Sequence, residues 1–201
     1  GLQHAPWAPA YKFFARSPWD AQAVFDPVLE HYLSMFADGP IVSAIDDTRR
    51  RKTGKKIRQV RLGRDPMSPR YRANLTPGLR FINQSLIFPF YRNDPDTAPW
   101  SIPVSFTLST PAAKPKKKAP RELWQEYSRQ AREHNLSTDM VARTLALRQR
   151  LDAAGAQERT LIQVGDGSLC NATIMSLDHP RIAMLVRCRK DCALRLRADP
   201  S

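Results

Sequence analysis

At residues 41–48 the chain carries the sequence IVSAIDDT. Five apolar or small residues stand before two aspartates, and the turn-forming sequence Asp38-Gly39-Pro40 comes immediately before them. A short apolar run bounded by turn residues is typical of a buried strand. We therefore predict a strand over residues 41–45 that ends in Asp46 and Asp47.

A second stretch has the same form. Residues 160–167 are TLIQVGDG, an apolar run followed by Asp166 between two glycines. If the two strands are parallel neighbours, their carboxyl ends meet at one edge of the sheet and the acids come together. Adjacent carboxylates repel each other unless a cation lies between them, and oxygen ligands suit Mg²⁺ or Mn²⁺. Aspartate is also a common turn residue after a strand, so the spacing alone leaves both interpretations open.

The rest of the chain supplies the other elements of an α/β fold. We predict helices over residues 21–36, 120–134 and 170–177, a helix with Ser137 as its N-cap that stops at Gly155, and strands over residues 79–90, 100–108 and 182–186. Three strands in succession favour an antiparallel meander, and the strand–helix–strand order near the end favours a parallel crossover. The resulting expectation is a ribonuclease-H-like mixed sheet with flanking helices, incomplete on its C-terminal side.

The charge points to a polyanionic partner. The 201 residues include 32 Lys and Arg against 19 Asp and Glu, for a net charge of +13. Nucleic acid is the first interpretation of such an excess and an anionic membrane surface the second. Residues 49–72 contain 11 basic residues and one acid, Asp65. We predict a long loop over residues 49–76, with a short hairpin within it as the alternative. We predict DNA contacts from its cations, namely Arg49, Arg50, Arg51, Lys52, Lys55, Lys56, Arg58, Arg61 and Arg64.

The number of cysteines and the distribution of apolar residues bear on the cellular compartment of the protein. Three cysteines cannot form a closed set of disulfides, which favours a reducing, cytoplasmic compartment. No run of 18 apolar residues is present, so we expect no membrane-spanning helix. Cys170, His179, Cys188 and Cys192 lack the close Cys-x-x-Cys spacing of a zinc site, and we expect them to be ordinary thiols and a core or surface imidazole.

Four short motifs together resemble one family. They are AIDDT at residues 44–48, RKTGKK at 51–56, RDPMSP at 64–69 and VGDGSLCN at 164–171, and with the strand and basic turn over 182–190 they resemble the DDE transposases of bacterial insertion sequences. The similarity extends over residues 10–197. It implies a ribonuclease-H-like catalytic domain that uses Mg²⁺ or Mn²⁺ to cut element ends and join them to target DNA. It also implies homo-oligomerisation and association with the nucleoid when DNA is bound.

The resemblance assigns residues one by one. The family's first catalytic and metal-binding aspartate stands directly before Thr and falls on Asp47, and the second falls on Asp166. Because neighbouring strand residues point to opposite faces, only one of Asp46 and Asp47 can join the site, and Asp46 is the alternative. The family's third acid is a Glu on a later helix, whereas this sequence has no Glu after Glu158.

These assignments lead to a set of expectations for the whole chain. We expect an N-terminal arm and helix over residues 1–40, a partial catalytic domain over 41–197 with a basic linker at 114–119, and a tail over 198–201. We expect a fragment or decayed copy that is inactive in coordinated transposition. A non-catalytic basic nucleic-acid-binding protein is the alternative, and a purely structural protein the third possibility.

Overall fold

The computed structural model describes residues 22–54, 57, 59–65, 67–69, 71–72, 74–88 and 98–188, with isolated positions at 9, 12, 13, 16, 18 and 20. These residues form a six-stranded mixed sheet and four helices. The strands are β1 (Ile41–Arg51), β2 (Arg61–Arg64), β3 (Leu75–Phe88), β4 (Trp100–Ser109), β5 (Leu161–Gly165) and β6 (Ile182–Val186). The helices are α1 (Asp26–Met35), α2 (Arg121–Glu133), α3 (Leu136–Ala153) and α4 (Ala172–Met175).

Strand β1 lies at the centre of the sheet. It runs antiparallel to β3 on one side and parallel to β5 on the other, and β6 pairs in parallel with β5. The far edge of β3 pairs with β2 and then with β4, both antiparallel. The antiparallel first part of the sheet and the parallel β5–α4–β6 crossover confirm the predicted mixed α/β arrangement.

The hydrophobic core lies on one face of the sheet, beneath α1 and α3. Leu147 and Leu151 of α3 pack with Ile41, Leu86 and Leu161 of three neighbouring strands. A second cluster continues this core towards the C-terminal end of β1 and includes Ile45, Ile82, Met140, Leu169 and Ile174. The helical face predicted for α3, namely Met140, Thr144, Leu147 and Leu151, is buried as expected.

The starts of α1 and α3 differ from the prediction, and each difference has a physical reason. Helix α1 begins at Asp26 rather than at residue 21, so Pro27 falls in the first turn, where proline costs no hydrogen bond. Helix α3 is capped by Asn135 rather than by Ser137. The Asn135 side chain accepts a hydrogen bond from the Thr138 N–H, and the Thr138 hydroxyl accepts one from the Asn135 N–H.

The predicted loop over residues 49–76 is wrong at both ends. Strand β1 continues through Arg51, and β3 begins at Leu75, with β2 between them. The 14-residue length of β3 explains the difference, because it offers backbone partners well beyond the apolar part of β1, such as Leu79 opposite Arg50. Asp46 and Asp47 therefore lie inside β1 rather than at its end.

Candidate metal centre and basic surface

The strand register places Asp46 level with Asp166. Strands β1 and β5 pair in parallel from Ile41 opposite Leu161 to Ala44 opposite Val164. Continuing the same offset by two residues brings Asp46 opposite Asp166, which follows β5 directly. The observed pairs end at Ala44 opposite Val164, two residues before the acids. The strand alternation, continued over those two residues, puts both acids on the same side of the sheet.

Asp47 lies on the other face of the sheet. It follows the alternation of Ile45, which is buried in the core on the helix-covered face. An Asp47 carboxylate oxygen lies 3.2 Å from Nε of Arg80 on β3. The structure thus brings Asp46, the alternative from the sequence, together with Asp166, and it pairs Asp47 with an arginine instead.

In both Asp46 and Asp166, one carboxylate oxygen accepts hydrogen bonds from neighbouring residues. Oδ1 of Asp46 accepts a hydrogen bond from the Asp47 N–H at 2.8 Å. Oδ1 of Asp166 accepts from both the N–H and the hydroxyl of Ser168, at 2.9 and 2.6 Å, and so caps the 3₁₀ turn Gly167–Leu169. Neither Oδ2 accepts a hydrogen bond from a described residue. Both acids are exposed, so these oxygens are accessible to a cation.

The electrostatics of Asp46 reflect the neighbouring acid. Partial removal of its carboxyl from solvent is the largest cause that raises the pKa of Asp46, and the Asp47 N–H opposes it. The negative charges of Asp166 and Asp47 raise the pKa further. The repulsion between the Asp46 and Asp166 carboxylates is one that a bound divalent cation relieves.

Asn83 is a polar neighbour that the sequence did not single out. It lies opposite Asp46 in the pairing of β1 with β3 and therefore on the same face. Its side-chain Oδ1 is buried and has no hydrogen-bond partner. An amide oxygen is a ligand for Mg²⁺ or Mn²⁺, and an unbonded one on the strand next to Asp46 adds a possible oxygen donor on that side. Only the strand register could have identified this residue.

This donor set fits a hard divalent cation. Asp46, Asp166 and Asn83 offer oxygen atoms only, which suits Mg²⁺ or Mn²⁺ and disfavours softer metals. A third acid is not among the neighbours, because no group of three or more His, Cys, Asp or Glu side chains able to hold a metal occurs within the described ranges.

The predicted DNA contacts divide into distinct environments. Arg50 and Lys52 are exposed and belong to no ion pair among the residues described, whereas Arg51 lies 3.4 Å from the Asp65 carboxylate. Arg61 and Arg64 are exposed on the edge strand β2. Lys55, Lys56 and Arg58 lie outside the described residues.

Arg49 has a structural role in the sheet. Its Nη2 donates to the carbonyl oxygens of Arg61 on β2 and Thr76 on β3. A Cβ at Gly63 would come within 3.0 Å of the Arg49 guanidinium, and one at Gly78 would approach the Arg50 carbonyl oxygen at 2.8 Å. The two glycines therefore leave the space that this side chain and the backbone of β1 occupy. Arg49 secures β2 to the sheet rather than extending into solvent.

Comparison with known proteins adds no family assignment. No family model matches the chain, no curated protein matches it, and no solved structure matches it. None of the helices formed by the described residues is long and apolar enough to cross a membrane.

Proposed function

We propose that the chain is a ribonuclease-H-like protein that acts on the phosphodiester backbone of nucleic acid with a divalent metal ion. The observation that carries this proposal is the parallel register of β1 and β5, which ends at Ala44 opposite Val164 with Asp46 and Asp166 each two residues further along. The strand order supports the same class, because a central strand with antiparallel neighbours on one side and parallel neighbours on the other is its expected sheet.

Within that class, the short motifs around Asp46, Asp166 and the basic stretch favour a DDE transposase of bacterial insertion sequences. The substrate is then DNA, at element ends and target, and the active form is a homo-oligomer in the nucleoid. The structure favours one change in the residue assignment. We propose Asp46 as the first metal-binding acid, since Asp47 points to the other face and pairs with Arg80.

Each residue of the site has a distinct task. Asp46 and Asp166 would bind Mg²⁺ or Mn²⁺ through their oxygens, with Asn83 as a neighbouring oxygen donor. The cation would supply positive charge at the phosphodiester during cleavage. The N–H and hydroxyl of Ser168 fix the orientation of Asp166. Arg50, which lies on the same face as Asp46 and four residues along β1, would bind a backbone phosphate.

The proposal predicts metal-dependent nicking without strand transfer. Two carboxylates supply too little negative charge to hold the two metal ions that in-line cutting and joining require. We expect the purified chain to nick supercoiled plasmid slowly in Mn²⁺ and to yield no joined product with oligonucleotide element ends. Asp46→Asn and Asp166→Asn should abolish the nicking, and Asp47→Asn should retain most of it.

Three outcomes would count against parts of this proposal. Nicking that survives the double Asp46→Asn, Asp166→Asn substitution would come from a contaminant and remove the catalytic proposal. Nicking lost in Asp47→Asn but kept in Asp46→Asn would return the site to Asp47. Robust strand transfer would mean that a further acid completes the site.

The basic segment predicts DNA binding that depends strongly on salt. Reversing the charge of Arg50, Lys55 and Lys56 to Glu should weaken binding to any DNA sequence, because phosphate contacts carry no sequence information. If all three contact phosphates, the slope of log K against log salt should fall by about 3, since each contact contributes about 0.9. Fluorescence anisotropy with a labelled duplex over a range of KCl concentrations measures this slope.

A matched control exists in the same chain. Lys116, Lys117 and Lys118 are three exposed cations of the basic linker, and their reversal to Glu makes the same change in net charge. We expect the control to leave the slope nearly unchanged. Equal effects of the two triple substitutions would show that binding depends on net charge and not on the basic segment over residues 49–72.

A non-catalytic nucleic-acid-binding protein is the second candidate. The observation in its favour is that no third acid joins Asp46 and Asp166 within the ranges described. This candidate predicts the same salt dependence of DNA binding. It also predicts that Mn²⁺ neither raises the stability of the protein nor leads to nicking of DNA. Intact DNA binding with no nicking in any metal would favour it.

A further inference from the structure

Two cysteines meet beside the turn that carries Asp166. The sulfur atoms of Cys170 and Cys188 lie 3.8 Å apart, although 18 positions separate the residues in the chain. Cys170 directly follows the 3₁₀ turn Gly167–Leu169, and Cys188 lies two residues beyond the end of β6. A disulfide requires about 2.05 Å between sulfurs, so the pair needs a further approach of less than 2 Å.

The surrounding backbone holds the two segments together. Gly165 of β5 pairs with Val186 of β6, and the Arg187 N–H donates to the Gly165 carbonyl oxygen at 3.4 Å. A Cβ at Gly167 would contact the Arg187 carbonyl oxygen at 3.3 Å, so the turn lies close against the residue before Cys188. The proximity of the sulfurs is therefore a consequence of the sheet register and does not depend on a chance side-chain position alone.

We infer that Cys170 and Cys188 form a reversible disulfide when the protein meets a low-molecular-weight disulfide such as glutathione disulfide. Cys188 is the more exposed of the two and is the first to react. Its thiolate attacks one sulfur of glutathione disulfide, which forms a mixed disulfide and releases one glutathione thiolate. The Cys170 thiolate then attacks the Cys188 sulfur and releases the second glutathione.

The net reaction is balanced. Two protein thiols are oxidised by two electrons, one glutathione disulfide is reduced to two glutathione thiols, and excess glutathione reverses the process. The product would link the turn after Asp166 to the end of β6. This inference rests on the position of the sulfurs and is independent of the proposed function.

The test uses the full chain, which contains a third cysteine, Cys192, outside the described residues. The reduced protein is incubated with glutathione disulfide, alkylated, digested with trypsin and analysed by mass spectrometry. Cleavage after Arg187 and Arg189 places Cys188 and Cys192 in different peptides, so each linkage has its own mass. We expect the peptide that contains Cys170 to be linked to the one that contains Cys188.

Variants and a stability measurement make the result decisive. Cys192→Ser should form the link as the unaltered chain does, and Cys170→Ser and Cys188→Ser should not. Closing a loop of this length should raise the Tm of the oxidised protein by roughly 5–10 °C, and dithiothreitol should reverse the rise. Predominant linkage to Cys192, or glutathione adducts alone, would overturn the inference, as would the same linkage pattern in denaturing urea.

Discussion

Replacing Arg148 with Met is expected to lower the free energy of unfolding by about 3 kcal/mol, because the substitution removes a buried charge that is paired and hydrogen-bonded. Arg148 lies on α3 beside Leu147, with a side chain only 1% exposed. Burial lowers the pKa of its guanidinium, and the Asp152 carboxylate opposes that shift. A buried charge of this kind is tolerated only where its donors are well satisfied.

The bonds of Arg148 explain the expected cost. Its Nη1 donates to the Arg159 carbonyl oxygen at 2.6 Å and its Nη2 to the Ala156 carbonyl oxygen at 2.7 Å. Nη2 also lies 2.9 Å from an Asp152 carboxylate oxygen. Methionine fills much of the volume but leaves the Arg159 carbonyl without its donor, and an unsatisfied buried group costs about 1–3 kcal/mol. Asp152 keeps its second partner, Arg181, at 2.6 Å, which limits the loss.

Urea denaturation of Arg148→Met and Arg143→Met measures the effect. Arg143 is an exposed residue of the same helix, so its replacement should change stability by less than about 0.5 kcal/mol. The Tm of Arg148→Met should fall by roughly 6–12 °C. Similar stability of the two variants would mean that the buried guanidinium contributes nothing beyond its volume.

This position also connects stability to the candidate site. Arg148 holds the carbonyls of the segment between α3 and β5, and Arg159 in that segment donates to the Phe36 and Gly39 carbonyl oxygens before β1. The two arginines thus join the segments that lead into β1 and β5. The alignment of Asp46 with Asp166 depends on those two strands keeping their register.

The sequence identified the elements whose residues follow one clear rule. Strand β6 begins and ends where its apolar run does, and the buried face of α3 follows the helical spacing of Met140, Thr144, Leu147 and Leu151. These elements were predictable because the apolar run of β6 and the helical spacing of α3 are both visible in the local sequence. Arg148 lies four residues after Thr144 and three before Leu151, so its spacing matches the buried face, and only its charge argued against burial.

The site was predictable in outline and not in detail. The two acid-bearing stretches and their parallel pairing could be inferred from the sequence, but the choice between Asp46 and Asp47 depends on a register of one residue. The extension of β1 through Arg51 was missed because a run of charged residues is typical of a solvated loop. Its pairing is set by the length of β3, a distant segment, and not by its own composition.

Replacing Asp46 with Asn is expected to weaken Mn²⁺ binding by about 100-fold or more, and replacing Asp47 with Asn is expected to leave it within a few-fold. Loss of groups that merely support a metal ligand costs 10–100-fold in affinity, so loss of a ligand itself should cost at least as much. Asp166→Asn should match Asp46→Asn. Isothermal titration calorimetry and the rise in Tm with added Mn²⁺ both measure the affinity.

The metal-free protein provides the control for correct folding. Burial and the charge of Asp166 raise the pKa of Asp46, so the folded state disfavours its ionised form at neutral pH. A raised carboxyl pKa lowers stability above that pKa, and asparagine removes the disfavoured charge. Asp46→Asn should therefore be at least as stable as the unaltered protein without metal while failing to gain stability from Mn²⁺.

These opposite responses distinguish a lost ligand from a damaged fold. A misfolded variant would lose stability with and without Mn²⁺, whereas a lost ligand removes only the metal-dependent part. Asp47→Asn should show the reverse pattern, a small loss without metal because Arg80 loses its carboxylate partner, and a normal gain with Mn²⁺. If Asp47→Asn abolishes the gain and Asp46→Asn keeps it, the cation binds on the opposite face of the sheet, and the register of β1 and β5 does not define the metal site.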